Sequence, residues 1–169
     1  MHSDDIKPRT EKRAIVMQLL APADGRVMSL NQHTEAIHAY QLAGPGFWFH
    51  IQSDTLYAPC DGTLSIHYTP SFSIRFKHPT GLQTILELPA ALLSQHSKGL
   101  VWSCRDGADL KAGQQLLRFD PLFLSQTPPL TLTLLLLPAK AIQAEAVIPA
   151  KMVSSRQPCF TFQLHGTSL

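Results

Sequence analysis

Two nearly identical five-residue segments recur in this chain. The first reads Ala21-Pro22-Ala23-Asp24-Gly25 and the second reads Ala58-Pro59-Cys60-Asp61-Gly62. Each copy ends on Asp-Gly, which is typical of tight turns, and each leads into a run of alternating apolar residues. A turn-plus-strand unit that occurs twice predicts two copies of one supersecondary element, packed face to face.

The composition is typical of a well-buried globular chain. Of the 169 residues, 44% are hydrophobic and only 15% are charged, which leaves room for one domain with a substantial core. We expect residues 1–13 to form a loose polar tail and residues 14–169 to form a single domain. The formal net charge is +2, and no basic cluster alternates with aromatic residues, so nucleic acid is not an expected partner.

The cysteines and the apolar segments bear on the compartment. Cys60, Cys104 and Cys159 are an odd number without Cys-x-x-Cys spacing, which argues against a disulfide framework and favours a reducing environment. No apolar stretch follows the acidic first residues, so no secretory signal is predicted. The most apolar stretch, Leu130 to Leu137, is far too short to span a bilayer and predicts a buried central strand. We therefore expect a cytoplasmic protein without a transmembrane segment.

Short alternating segments separated by turn residues occur along most of the chain. The predicted strands include Ala14 to Leu20, Phe47 to Ile51, Phe72 to Lys77, Leu82 to Leu88, Leu130 to Leu137 and Cys159 to Leu164. Helix is expected only in short pieces near Ala90 and Leu122. Many short strands with turn signals between them predict an all-β fold, an antiparallel β-sandwich or barrel.

The segment from Gly107 to Asp120 carries the most specific motif. It reads Gly-Ala-Asp-Leu-Lys-Ala-Gly-Gln-Gln-Leu-Leu-Arg-Phe-Asp. Together with the two Ala-Pro units and Phe72-Ser73-Ile74, in this order and spacing, it resembles the glucose-type IIA component of the bacterial phosphoenolpyruvate:sugar phosphotransferase system. The resemblance runs from about residue 17 to residue 164 and implies a β-sandwich of duplicated hybrid motifs.

The resemblance also implies where the family's site would lie. In that family, two histidines face each other in a shallow apolar depression; one accepts a phosphoryl group and the other supports it. Here Glu87 occupies the acceptor position and Pro70 the supporting position, so neither histidine is present. The family's depression doubles as its protein-docking face. The binding surface implied for this chain consists of Phe72, Leu86, Glu87 and Leu88, with no catalytic residue expected.

Other histidines could replace the missing acceptor. The candidates are His50 in the aromatic strand, His67, His78 in a hairpin turn and His96 in a polar loop. His67 lies an odd number of residues before the supporting position, so on a shared strand it would face the other side. An acyl phosphate on Glu87 is a further alternative, because a carboxylate can form such a mixed anhydride.

Two other uses of the same hybrid motif find little support. Zinc endopeptidases of the lysostaphin type place a His-x-His pair on the returning strand, and no such pair occurs in this chain. Biotinyl and lipoyl carriers hold a lysine in a tight hairpin, a setting that Lys151 lacks. No metal and no cofactor are therefore expected. Asp24 and Asp61 stand at turn positions and are interpreted as caps of backbone N–H groups.

The favoured interpretation is a degenerate IIA-like protein that cannot be phosphorylated and acts by binding other proteins. Its expected partners are proteins of the phosphotransferase system or regulated transporters and enzymes. The alternative is an active phosphocarrier in sugar uptake that uses a displaced histidine or Glu87. One sequence leaves the sugar, the partner and the oligomeric state open.

Overall fold

The computed structural model describes residues 15–93, 99–125, 130–137, 142–147 and 152–164. Within these ranges every strand pairing is antiparallel. The strands are β1 (Ile15–Leu20), β2 (Gly25–Ser29), β3 (Gly46–Ile51), β4 (Thr55–Tyr57), β5 (Gly62–His67), β6 (Phe72–Lys77), β7 (Gln83–Leu88), β8 (Leu100–Trp102), β9 (Asp109–Leu110), β10 (Gln115–Phe119), β11 (Thr131–Leu137), β12 (Ile142–Val147), β13 (Met152–Val153) and β14 (Pro158–Leu164). The predicted all-β, antiparallel fold is confirmed.

The strands form one large sheet and two small ones. The large sheet has eight strands in the order β13-β2-β3-β11-β7-β6-β5-β9, and the small sheets are β1-β14-β12 and β4-β10-β8. Strand β11 lies between β3 and β7, and its residues from Leu132 to Leu136 are buried. The prediction that the Leu-rich segment is a buried central strand is confirmed.

The repeated Ala-Pro units contact each other in a reciprocal way. The Leu20 N–H donates to the Pro59 carbonyl at 2.9 Å, and the Tyr57 N–H donates to the Pro22 carbonyl at 2.8 Å. Leu20 and Tyr57 occupy the same position in the two copies, as do Pro22 and Pro59. Such an exchange of equivalent bonds is what two copies related by an approximate two-fold axis make.

The two Asp-Gly turns extend this relation. Asp24 Oδ1 accepts the Ser155 N–H at 2.6 Å, and Asp61 Oδ1 accepts the Ala112 N–H at 2.8 Å. Each aspartate therefore binds a backbone N–H in a turn far along the chain. The turn bound by Asp24 leads into β14, and the turn bound by Asp61 leads into β10. The structural role expected for both aspartates is confirmed.

The large sheet has an inner face and an outer face. Along β6 and β7 the even-numbered side chains point into the core, and the odd-numbered ones point to the other side. A second, smaller apolar cluster lies on the outer face, where Leu30 packs against Ile85 and Leu135. Ala43 also packs against this cluster, so both ends of residues 30–43, which we call the covering segment, are fixed on the outer face.

Helical structure within the described residues is short. The 3₁₀ helices Ala90–Leu93 and Pro121–Ser125 lie where short helix was expected. The sequence did not predict the 3₁₀ helix Leu30–Gln32 or the four-residue helix α1 (Ala36–Ala39), both in the covering segment. A single helical turn has too few residues for a recognisable pattern, and its stability comes from packing. No helix in the described part of the chain is long and apolar enough to cross a membrane.

The remaining expectations concern the tail and the cysteines. The predicted tail, residues 1–13, lies outside the described residues. The three cysteines are free thiols, and two of them are buried. Burial raises the pKa of Cys60 to about 11 and that of Cys159 to about 12, so these thiols stay protonated at neutral pH.

Candidate functional site

Strand register places Glu87 in the middle of the outer face. Glu87 of β7 pairs with Thr133 of β11 on one side and with Ser73 of β6 on the other, and Thr133 in turn pairs with Trp48 of β3. Paired residues of an antiparallel sheet point to the same side, and neighbouring strands are about 4.8 Å apart. One row of side chains with polar atoms therefore crosses four strands and consists of Trp48, Thr133, Glu87 and Ser73.

The covering segment brings a histidine onto this row. His38, in α1, places its Nε2 atom 3.0 Å from Oε2 of Glu87, and its side chain is only 6% exposed. A second carboxylate oxygen, Oε2 of Glu35, lies 3.8 Å from the same Nε2 atom of His38. The Glu87 side chain keeps 29% of its area exposed. Glu87 is thus a carboxylate at the edge of solvent, paired with a buried imidazole.

A second histidine, His33, is held by two hydrogen bonds. Its Nδ1 accepts the Glu35 N–H at 2.9 Å, so in the neutral ring Nε2 carries the proton and donates to Thr133 Oγ1 at 2.9 Å. Burial, and then the proximity of His38, lower the pKa of His33, which favours this neutral form. Its ring centroid lies 4.7 Å from that of His38 and 4.8 Å from that of Trp48.

The residues predicted from the family resemblance do not all lie on this face. Glu87 does, and Pro70 lies in the exposed turn between β5 and β6. Phe72, Leu86 and Leu88 point into the core and are 1%, 0% and 5% exposed. Alternation along the strands places these three side chains on the face opposite to Glu87, so they support the outer face from below and do not form its surface.

The other candidate histidines are dispersed. His67 points to the same side as Glu87, because it pairs with Ser73, and its Nε2 lies 3.0 Å from Ser65 Oγ. The expectation that His67 faces the other side assumed a strand shared with the supporting position; β5 ends at His67, so that expectation does not apply. His50 lies beside Trp48, with ring centroids 5.3 Å apart.

The last two candidates lie elsewhere. His78 is in the β6–β7 turn, where its Nδ1 lies 2.8 Å from Thr80 Oγ1. His96 lies outside the described residues.

Sequence reasoning missed His33 and His38, the two histidines that the fold brings to Glu87. They lie 54 and 49 positions before Glu87, in a segment without periodic pattern. The signal that could have found them is the pair of histidines itself, placed just before the Gly44-Pro45-Gly46 turn. Nothing local in the sequence, however, indicates which part of the sheet this segment covers.

The chemistry of this arrangement differs from that of a nucleophilic histidine. A phosphoryl acceptor needs a neutral ring nitrogen with a free, accessible lone pair. Both nitrogens of His33 are engaged, and the His38 ring is buried with Nε2 on Glu87. Within the described residues, no group of three or more histidine, cysteine, aspartate or glutamate side chains is arranged to hold a metal ion.

Comparisons with known proteins agree with this fold. The chain is 24% identical over 115 residues to the "PTS system glucose-specific EIIA component" of Borreliella burgdorferi, an alignment that covers 68% of this chain and 61% of that protein. It is 28% identical over 102 residues to the "Lactose permease" of Lactobacillus helveticus, where 60% of this chain matches 16% of the relative. The chain thus spans less than two thirds of the length of these relatives.

A solved structure and a family model complete the comparison. The glucose permease IIA from Mycoplasma capricolum superposes with a TM-score of 0.73 at 17% sequence identity, covering 87% of this chain and 96% of that one. Residues 17–141 match the family model described as the phosphoenolpyruvate-dependent sugar phosphotransferase system, EIIA 1. The chain therefore belongs to the EIIA 1 family of the phosphoenolpyruvate-dependent sugar phosphotransferase system.

Proposed function

We propose that this chain is a IIA-like protein that is not phosphorylated and acts by binding other proteins through its outer face. The observation that carries the proposal is the pairing of Glu87 with His38 at 3.0 Å. The position implied for the phosphoryl acceptor holds a carboxylate whose Oε2 already has a partner. In this proposal the chain has lost the acceptor and keeps the docking part of the family's function.

The exposed apolar side chains support a role in binding. Within the described residues, six large hydrophobic side chains are exposed, and three of them belong to the covering segment: Ile37, Tyr40 and Leu42, at 49%, 77% and 76%. These side chains flank His38, the residue of the same segment that contacts Glu87. Clustered exposed apolar groups favour contact with another protein.

The charge of Glu87 bears on which partners would bind. A carboxylate carries about one negative charge, against about one and a half to two for a phosphoryl group. The Glu87 carboxylate is therefore a partial imitation of a phosphorylated site. The imitation is weaker still because Glu87 Oε2 already contacts His38 Nε2. Partners that prefer the phosphorylated state of a IIA protein would bind permanently. Partners that need the uncharged face would have to desolvate the carboxylate.

The partners that we propose are proteins of the phosphotransferase system, and transporters or enzymes that it regulates. Relatives such as the "PTS system glucose-specific EIIBCA component" of Corynebacterium glutamicum, matched over 70% of this chain and 17% of that protein, contain the matching region within a longer chain. Such partners would place the protein in the cytoplasm.

Phosphoryl transfer is tested by incubating the protein with radiolabelled phosphoenolpyruvate and the two upstream phosphotransferase proteins. We expect no label on the wild type, with an authentic glucose-type IIA protein as the positive control. An acid-labile label would contradict the proposal, and its loss in His33→Gln, His38→Gln, His50→Gln or His67→Gln would identify a displaced acceptor. A hydroxylamine-sensitive label that is lost in Glu87→Gln would identify an acyl phosphate.

Binding is tested separately with immobilised protein. Wild type, Glu87→Gln and Tyr40→Ser are compared for recovery of purified IIB and phosphocarrier proteins. We expect Tyr40→Ser to weaken recovery of a partner that docks on the covering segment, and Glu87→Gln to change the choice of partner. Equal recovery by all three variants, or recovery by none, would contradict binding through this face.

A further inference from the structure

Buried polar side-chain atoms without a hydrogen-bond partner in the described structure lie on the outer face of the large sheet or on the segment that covers it. Four side-chain atoms are of this kind: His38 Nδ1, Trp48 Nε1, Ser73 Oγ and Arg75 Nε. Trp48, Ser73 and Arg75 belong to the outer face, and His38 belongs to the segment that covers it. Buried polar groups are normally satisfied, so His38 Nδ1 and Trp48 Nε1, which lie where the covering segment meets the sheet, indicate a poorly matched contact.

The middle of the covering segment turns a polar side chain toward the sheet and apolar side chains toward solvent. Among residues 33–42, the one buried residue is His38, whereas Ile37, Tyr40 and Leu42 face solvent. A surface helix normally buries its apolar side and exposes its polar side. The closed arrangement therefore exposes apolar side chains and leaves buried polar atoms without a partner in the protein.

The ends of the segment differ from its middle. Leu30 and Ala43 pack in the outer apolar cluster and fix the two ends on the sheet. Between them, the contacts with the sheet include the His38–Glu87 pair and the hydrogen bond from His33 to Thr133. Near the second end the backbone takes left-handed or related conformations at Gln41 (φ 54°) and Gly44 (φ 129°). Gln41 is not a glycine, so this conformation carries strain.

We propose that residues 33–42 form a lid that opens from the outer face about its two fixed ends, without unfolding of the sheet. Opening exposes His38 Nδ1, Trp48 Nε1 and the Glu87 carboxylate to solvent. It breaks the His38–Glu87 pair and the His33–Thr133 hydrogen bond, and it costs the single turn of α1. The lid belongs to the isolated chain, so it does not depend on which proteins bind this face.

Native-state hydrogen exchange measures this opening directly. The amides of Ala39, Tyr40 and Leu42 donate to carbonyls within the segment, to Glu35, Ala36 and Ile37. We expect these amides to exchange at least tenfold faster than those of β11, at a rate that is insensitive to low urea concentrations. Exchange at the rate and urea dependence of β11 would show that the segment opens only with the whole domain, and would overturn the proposal.

Matched variants sharpen the test. His38→Ala removes the pair with Glu87 and should accelerate exchange of the lid amides more than threefold. The double variant His38→Phe with Glu87→Leu replaces the pair by apolar groups and should slow the same amides. Leu122→Ser, at an exposed apolar position outside the covering segment, is the control that should change nothing beyond threefold. Unchanged exchange in both His38 variants would overturn the proposal.

Trp48 gives an independent readout, since its ring lies against His33. The protein has two tryptophans, so the measurement uses a Trp102→Phe background. Acrylamide quenching of Trp48 should rise in His38→Ala and fall in the double variant. Quenching that stays constant in both, with the fold intact by circular dichroism, would contradict an opening over Trp48.

Discussion

The Asp-Gly turns and the Glu87 site are built in opposite ways. At the turns, Asp24 and Asp61 each bind a distant backbone N–H, and the same arrangement occurs twice. At the site, Glu87 is paired with His38, so this contact joins two side chains. Backbone geometry dictates the first contact and side-chain identity dictates the second. Duplication therefore preserves the turns, whereas the site is free to change.

The two turns are themselves not equally tight, and this difference gives the largest effect that we expect. A Cβ added at Gly25 would overlap the His50 carbonyl, while one added at Gly62 would meet the Lys77 carbonyl at 2.9 Å. Gly25→Ala should destabilise the protein by about 3 kcal/mol or more, and Gly62→Ala by about 1–2 kcal/mol. Urea unfolding of both variants measures the difference. Equal losses would show that the two copies are equally tight.

The site should show a smaller but coupled effect. Glu87→Ala leaves the buried His38 ring without its partner, which should cost about 1–3 kcal/mol of unfolding free energy. His38→Ala in the Glu87→Ala background should then cost less than His38→Ala alone. A double-mutant cycle by urea unfolding gives the coupling, and additive losses would mean that the pair contributes nothing to stability.

The turn aspartates should give similar losses in both copies. Asp24→Ala and Asp61→Ala each remove the acceptor of one backbone N–H, which should cost about 1 kcal/mol in each case. Asp61 also lies 3.9 Å from Lys111 Nζ, but that lysine is 86% exposed, and exposed ion pairs contribute little. Thermal melts of both variants provide the test. A loss in only one copy would break the equivalence.

The same contrast between the turns and the Glu87 site explains which features could be predicted from the sequence. The Ala-Pro units, the strand from Leu130 to Leu137 and the structural role of Asp24 depend on local pattern, and all were predicted. The outward position of Glu87 follows from alternation along β7. The contact between Glu87 and His38 depends on where an irregular segment crosses the sheet, and no local pattern encodes that path.

Phe72 illustrates a related limit. The family resemblance placed it in the binding surface, but a resemblance between segments does not state which face a side chain occupies. Alternation relative to Glu87 gives that information, because Phe72 pairs with Leu88 and not with Glu87. Register therefore has to be known before surface residues can be assigned.

The smallest expected effect is the dependence of the unfolding free energy on pH. His33 should contribute to this dependence between pH 7.5 and pH 5.5, whereas the Asp-Gly turns should contribute little. Burial and the nearby His38 lower the pKa of His33 in the folded protein. The unfolded chain thus binds a proton more readily, and stability is lost as the pH falls below about 6.5, the ordinary value for histidine. The loss should be smaller than that of Asp24→Ala, because the His33 ring is only partly buried and its charge is screened.

His33→Gln should flatten this dependence, since glutamine does not titrate. Burial, and then Arg26, also lower the pKa of His50, so His50→Gln serves as the matched variant and should remove a separate part of the slope. Unfolding free energies in urea at pH 5.5, 6.5 and 7.5 give the slope for each protein. If His33→Gln keeps the full slope of the wild type, the neutral ring bonded to Thr133 does not contribute to the stability of the outer face.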